Sequence, residues 1–206
     1  MVDKLLDHNR AWSQRTRAQD PTYFTRRAER QNPEYFWIGC ADSRVPTTMM
    51  LGLEPGEVFV HRNVGNVVHS SDLSLLSALE YAVDALAIDK IILCGHYGCG
   101  GIKAATEDRP HGLADHWLEP IRRLEISHSS ELDAFAQPEA RQDRLAELNV
   151  IYSVARIAET PILRRAWERG RDIYVHGLMY RLSDGLLEQL DCSVAPSGPA
   201  ATLPKN

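Results

Sequence analysis

The sequence predicts an α/β protein: a mostly parallel sheet of four to five strands flanked by helices, with an N-terminal helical arm. Three observations carry that prediction. Short apolar runs at about 34–39, 57–61, 90–95 and 172–177 alternate with longer helical patterns, which is the order of parallel βαβ units. Two of these runs end in residues suited to chemistry: Tyr35-Phe36-Trp37-Ile38-Gly39 runs into Cys40, and Ile91-Ile92-Leu93-Cys94-Gly95 runs into His96. Gly98, Gly100 and Gly101 then open the next helix, where missing side chains let backbone approach a bound group.

Taken in order, residues 1–30 form the arm. Leu5, Leu6, Asn9, Trp12 and Ser13 make a partial helical stripe, and Asp20-Pro21 reads as a cap followed by proline at the first helical position. The polar, Arg-rich remainder needs a partner surface. Residues 31–190 form one α/β domain, with the first two strands, a long helix at about 72–87, the third strand, helices at about 112–128 and 138–159, and the fourth strand. Leu178 to Leu182 reads as an antiparallel fifth strand. Residues 191–206 read as a frayed tail, because Ala195-Pro196-Ser197-Gly198-Pro199-Ala200 is rich in proline and glycine. No internal repeat interrupts the pattern.

Bulk properties narrow the function classes. The 206 residues are 44% hydrophobic, enough for the core of one domain. A formal net charge of −5 and no basic stripe argue against a nucleic-acid partner. No run approaches the roughly 18 apolar residues of a membrane span. Met1-Val2-Asp3-Lys4-Leu5-Leu6-Asp7 carries charge where a secretory signal needs its apolar region, so the expected compartment is the cytoplasm, where thiols stay reduced. Of the four cysteines, Cys94 sits inside a strand pattern and reads as core, and Cys192 reads as an ordinary thiol.

Cys40, His96 and Cys99 are different. Two thiols and an imidazole at the carboxyl ends of parallel strands give a zinc ion three ligands, one short of the closed tetrahedron of a structural site. The open position takes water, whose pKa on zinc falls to about 7, so such a site is a hydration or hydrolysis catalyst. Asp42 follows Cys40 by two residues and Arg44 by four. Asp42 can reach the fourth position, and a bidentate pair with Arg44 would hold it as a hydrogen-bond acceptor instead of a ligand. Each part alone has a plainer reading: a surface ion pair, a core histidine, a cysteine at a helix start. The combination is what points to a site.

With these residues in place, the chain resembles a β-class carbonic anhydrase. The likeness rests on Cys40-Ala41-Asp42-Ser43-Arg44-Val45-Pro46, on Glu54-Pro55-Gly56-Glu57 with Phe59-Val60-His61-Arg62-Asn63-Val64, and on Gly95-His96-Tyr97-Gly98-Cys99-Gly100-Gly101. It runs from about Gln31 to Leu190. The resemblance implies one Zn2+ per chain on Cys40, His96 and Cys99, and a catalytic dyad of Asp42 and Arg44. It implies reversible hydration of carbon dioxide by zinc-bound hydroxide, with Gln31, Phe59, Val64, Tyr81 and Gly100 lining the substrate pocket. Gln31 would donate a hydrogen bond to a substrate oxygen, and the others would form an apolar slot.

One subgroup of that family carries a regulatory bicarbonate site, which the resemblance places on Trp37, Arg62 and Tyr180. An anion there would favour a closed state in which Asp42 becomes the fourth zinc ligand. The resemblance further implies a homodimer whose arms embrace, with the cleft at the interface, or a dimer of dimers. Gly65 departs from it, standing where many relatives have alanine, and is expected to loosen its loop. Other readings compete. They are a zinc hydrolase of carbonyl sulfide or carbon disulfide, a noncatalytic zinc or bicarbonate-binding module closed by Asp42, and a cysteine-nucleophile hydrolase, which two thiols converging with one histidine fit less well than metal.

Overall fold

Five strands form one sheet in the order β2-β1-β3-β4-β5, in a computed structural model that describes residues 2–196. The strands are β1 (Tyr35–Cys40), β2 (Val58–Asn63), β3 (Lys90–His96), β4 (Tyr174–Tyr180) and β5 (Leu187–Gln189). The first four are parallel and β5 is antiparallel to β4. The chain leaves β1 towards β2 on one side and returns to β3 on the other. That reversal opens a crevice beyond the carboxyl ends of β1 and β3, where Cys40 and His96 stand.

Around the sheet lie α1 (Val2–Gln19), α2 (Tyr23–Glu29), α3 (Thr47–Met50), α4 (Leu73–Glu80), α5 (Gly100–Thr106), α6 (Leu113–Trp117), α7 (Glu119–Ser127), α8 (Ser129–Leu132), α9 (Pro138–Ala158) and α10 (Pro161–Glu168). Local chemistry sets their ends. Asp72 caps α4 by accepting from the Ser74 and Leu75 amides at 3.0 and 3.3 Å, and Thr160 caps α10 ahead of Pro161. The long helix expected at 72–87 is α4 followed by one wider turn at Tyr81–Ala85, and the helix expected at 112–128 is broken into α6 and α7.

Strand alternation sorts the side chains. Phe36, Ile38, Ile91, Leu93, Val175 and Met179 share the main core with α4, α5, α7 and α9. The other face carries a smaller cluster of Trp37, Val45, Cys94 and Tyr180. Helix α9 lies close to the sheet because the strands present glycine to it. A Cβ at Gly95 would stand 2.7 Å from Val150, and one at Gly177 would stand 2.9 Å from it.

Three expectations need correction. Leu178 to Leu182 is not a fifth strand. Leu178–Tyr180 completes β4, the chain turns over Arg181–Leu186 with Gly185 at φ +76°, and β5 begins at Leu187. Pro21 does not open a helix. Asp20 accepts from the Thr22 amide in a turn, and α2 starts at Tyr23. In the tail, Cys192 and Val194 are buried and Val194 bridges to Val175, while residues 197–206 lie outside the described residues. Helix α1 has no buried residue, and no helix among those described is long and apolar enough to cross a membrane.

Candidate metal centre

The ends of β1 and β3 and the turn before α5 deliver Cys40, His96 and Cys99 to one point. Their ligand atoms lie within 4.8 Å of one another, the two sulfurs are 3.8 Å apart, and all three residues are buried. Among the described residues this is the one group of its kind. The His96 ring sits with Nδ1 3.1 Å from the Tyr97 carbonyl, to which Nδ1–H donates, and this leaves Nε2 buried with no hydrogen-bond partner. An orphaned imidazole nitrogen facing two thiols is costly in a protein interior unless a cation completes it. The donor set, two sulfurs and one nitrogen, fits zinc.

The two thiols titrate as one unit. Cys40 is held well below the usual thiol range, chiefly by the hydrogen bond from Cys99, with further help from His96 and the Gly65 amide. Cys99 is pushed upwards by its bond to Cys40, by burial and by the charge on Cys40. At neutral pH the pair therefore holds one negative charge, poised for a cation. Cys94 and Cys192 are free and buried, and burial raises both thiols, Cys192 to about 11. Cys94 lies in the core, as its place in a strand pattern implied, and Cys192 is buried as well.

Beside the triad, Arg44 grips Asp42 at two points, Nε to Oδ1 at 2.9 Å and Nη2 to Oδ2 at 2.7 Å, and its amide donates to Oδ1 at 2.9 Å. These bonds, led by the side-chain pair, hold the Asp42 carboxyl far below the usual carboxylate range. Asp42 Oδ2 lies 3.8 Å from His96 Nε2. The carboxylate is thus next to the metal position but turned towards Arg44.

Trp37, Arg62 and Tyr180 lie on one face of the sheet. Trp37 and Tyr180 share the smaller cluster, and Arg62 pairs across strands with Gly39, over which the Trp37 indole lies. Arg62 donates from Nε to the Cys40 carbonyl at 2.7 Å and from Nη2 to the Asp42 carbonyl at 2.6 Å, bracing the loop that carries the dyad. The Trp37 indole N–H is buried without an acceptor.

The five residues expected to line a substrate slot are divided. Val64 follows β2 directly and Gly100 opens α5, both at the Cys40 end of the sheet. Phe59 packs against Tyr81 with ring centroids 5.8 Å apart, and it lies four positions before Asn63, the partner of Cys40. At about 3.3 Å per residue that places Phe59 roughly 13 Å back along the strand. Gln31 precedes β1 and opens onto a surface groove with Tyr23, Arg27 and Glu57. A single chain does not bring Gln31, Phe59 and Tyr81 to the metal centre.

Other contributors take roles that the sequence does not reveal. Gly65 is buried at φ +75°, its amide donates to Cys40 Sγ at 3.4 Å, and its carbonyl accepts from Asn149 Nδ2 at 2.9 Å. Glycine there fits the backbone, so the expected loosening gives way to a held turn. Asp143 and Glu147, one turn apart on α9, accept from the Gly98 amide and the Tyr97 hydroxyl at 3.1 and 2.9 Å. Their four-residue spacing was the one available signal.

A mostly parallel open sheet with two thiols, an imidazole and a clamped carboxylate at its switch point has the form of an α/β protein with a metal-binding triad. The family model for carbonic anhydrase matches residues 35–187, and the chain belongs to that family, in its β class, and is an active carbonic anhydrase. It is 44% identical to the carbonic anhydrase of Emericella nidulans over 92% of this chain and 83% of that one. It is 35% identical to the carbonic anhydrase of Saccharomyces cerevisiae over 91% and 87%. Among solved structures, a tetrameric β-carbonic anhydrase of Sordaria macrospora superposes with a TM-score of 0.88 at 40% identity, covering 94% of this chain and 98% of that one. The Coccomyxa β-carbonic anhydrase bound to acetazolamide superposes equally, at 39% identity, covering 94% and 88%.

Proposed function

We propose that Cys40, His96 and Cys99 hold one zinc ion per chain and that the protein uses it for reversible hydration of carbon dioxide to bicarbonate and a proton. The observation that carries this reading is the orphaned His96 Nε2 between two thiols, next to a carboxylate that Arg44 keeps from closing the site. Zinc held there supplies a water acidified enough to act as nucleophile at neutral pH. The chain's own residues do the rest. Asp42, fixed at two points, offers a rigid acceptor beside the metal position, and Arg62 fixes the carbonyls of Cys40 and Asp42 so that the acceptor does not drift. Val64 supplies apolar wall at that end.

Gln31, Phe59 and Tyr81 complete the slot from a second copy of the chain. Support comes from their distance from Cys40 within one chain, from the uncovered arm α1, and from the tetrameric Sordaria macrospora relative. These observations support a dimer or dimer of dimers. Four free, buried cysteines suit a reducing compartment, the cytoplasm.

The same geometry supports a regulatory reading. Release of Asp42 from Arg44 frees a donor 3.8 Å from His96 Nε2, ready to become the fourth ligand and shut the site. Bicarbonate held between Arg62, the unpartnered Trp37 indole N–H and Tyr180 would draw Arg62 from the two carbonyls it braces and favour that closure. The test is twofold. Metal analysis should find one zinc per chain, lost together with hydration activity in Cys40→Ser. Bicarbonate should inhibit the wild type but not Trp37→Phe or Tyr180→Phe. Zinc retained in Cys40→Ser would overturn the ligand set, and unchanged inhibition in both aromatic variants would overturn the switch. Carbonyl sulfide turned over faster than carbon dioxide would favour the hydrolase reading.

A further inference from the structure

The Asp42–Arg44 pair continues beyond Arg44. Arg44 Nη2 donates to the Gly98 carbonyl at 3.3 Å, and the Gly98 amide in turn donates to Asp143 Oδ1 on α9 at 3.1 Å. Gly98 has φ +64°, so the orientation of its two peptide planes is set by what they bond and not by a side chain. One turn along α9, Glu147 accepts from the Tyr97 hydroxyl at 2.9 Å. The loop between the ligands His96 and Cys99 therefore hangs from two carboxylates on one face of α9.

We infer that Asp143 is a positioning residue of the carbonic anhydrase reaction: by fixing the Gly98 peptide it aims the Gly98 carbonyl at Arg44 and so holds Arg44 against Asp42. It touches neither substrate nor metal position. Its action is on the choice Asp42 makes between Arg44 and closure, and the inference rests on that reading of the dyad. Glu147 shares the loop but bonds Tyr97, whose peptide is one removed from Arg44, so Asp143 is the member of the pair that reaches the dyad. Because Gly98 and Arg44 are exposed in the single chain, the effect is several-fold rather than absolute.

The test reads Arg44 itself. In the zinc-loaded protein, the Arg44 Nε–H signal should exchange slowly with water by NMR, because that proton is given to Asp42. Asp143→Ala, or Asp143→Ser if the first variant folds poorly, should exchange about fivefold faster, the weight of one solvent-screened charge-assisted bond. Carbon dioxide hydration at a fixed pH of about 8 should fall in parallel, with zinc content unchanged. Asp143→Asn keeps an acceptor for the Gly98 amide and should restore both. Exchange at the wild-type rate in Asp143→Ala and Asp143→Ser, or equal damage in Asp143→Asn, would overturn the inference. A wild-type protein that hydrates no carbon dioxide would instead overturn the function above, and with it the catalytic part of this inference, while the exchange rates would still decide whether Asp143 holds Arg44 against Asp42.

Discussion

Replacing Gly65 by alanine adds a methyl group at a backbone position with φ +75° and ψ 15°. The left-handed conformation costs an L-residue about 1–2 kcal/mol relative to glycine. The new Cβ would stand 3.2 Å from Ile121 Cδ1 and 3.4 Å from Leu118 Cδ2, and both side chains are fully buried, so neither has free space to retreat into. That crowding adds about 1 kcal/mol, the low end of the cost of overpacking a buried site. Against this, alanine restricts the unfolded chain and returns about 0.4–1 kcal/mol. The balance is a net destabilisation of about 1–2 kcal/mol, which in a chain of this length lowers Tm by about 2–8 °C. Calorimetry on zinc-loaded wild type and Gly65→Ala measures it directly. The same change disturbs the amide that donates to Cys40 and the carbonyl held by Asn149, so hydration activity should fall with stability. A variant with unchanged or raised Tm would refute the claim that this turn is held in the left-handed conformation.

Zinc binding at pH 7 should release about one proton per ion from the Cys40–Cys99 pair, in which the shared hydrogen bond holds one thiol low and pushes the other up. Calorimetric titration in two buffers of different ionisation enthalpy reads that count, and zero or two protons would contradict it. The sign of the pH dependence follows: affinity falls as pH falls, because protons compete for both sulfurs. Arg44→Ala should keep its zinc but lose most hydration activity as Asp42 is set free, and Arg44→Lys should recover little, since a lysine cannot grip both carboxylate oxygens. Stopped-flow rates with metal analysis check this pair. Asn149→Ala leaves the buried Gly65 carbonyl without its donor and should destabilise the protein by about 1–3 kcal/mol in urea unfolding.

Much of the fold was legible because burial writes itself into the strands. The runs ending in Cys40 and His96 are buried on both faces and read as continuous apolar segments, so their ends, and with them the metal centre, stood out. The fifth strand was misplaced because Leu178, Met179 and Tyr180 continue the apolar pattern of β4 without a break. The turn signal lay further on, at Asp184-Gly185. Asp20-Pro21 has the composition of a helix start, yet the Asp20 carboxylate serves the Thr22 amide in a turn. Asn149 and Asp143 were invisible, and the role of Gly65 was misread, for another reason. Their partners lie 25 to 84 residues away, and only the packing of α9 on the glycines of β3 and β4 brings them together. The separation of Gln31, Phe59 and Tyr81 from Cys40 likewise depends on strand direction, which motif spacing does not encode.

The most direct test of the account is carbon dioxide hydration by stopped flow from pH 6.5 to 9, on protein of determined zinc content, with and without added bicarbonate. The account predicts activity that needs one zinc per chain, rises towards alkaline pH as Asp42 loses the competition for the metal, and falls when bicarbonate is added. Zinc-loaded protein that hydrates no carbon dioxide at any of these pH values would contradict it.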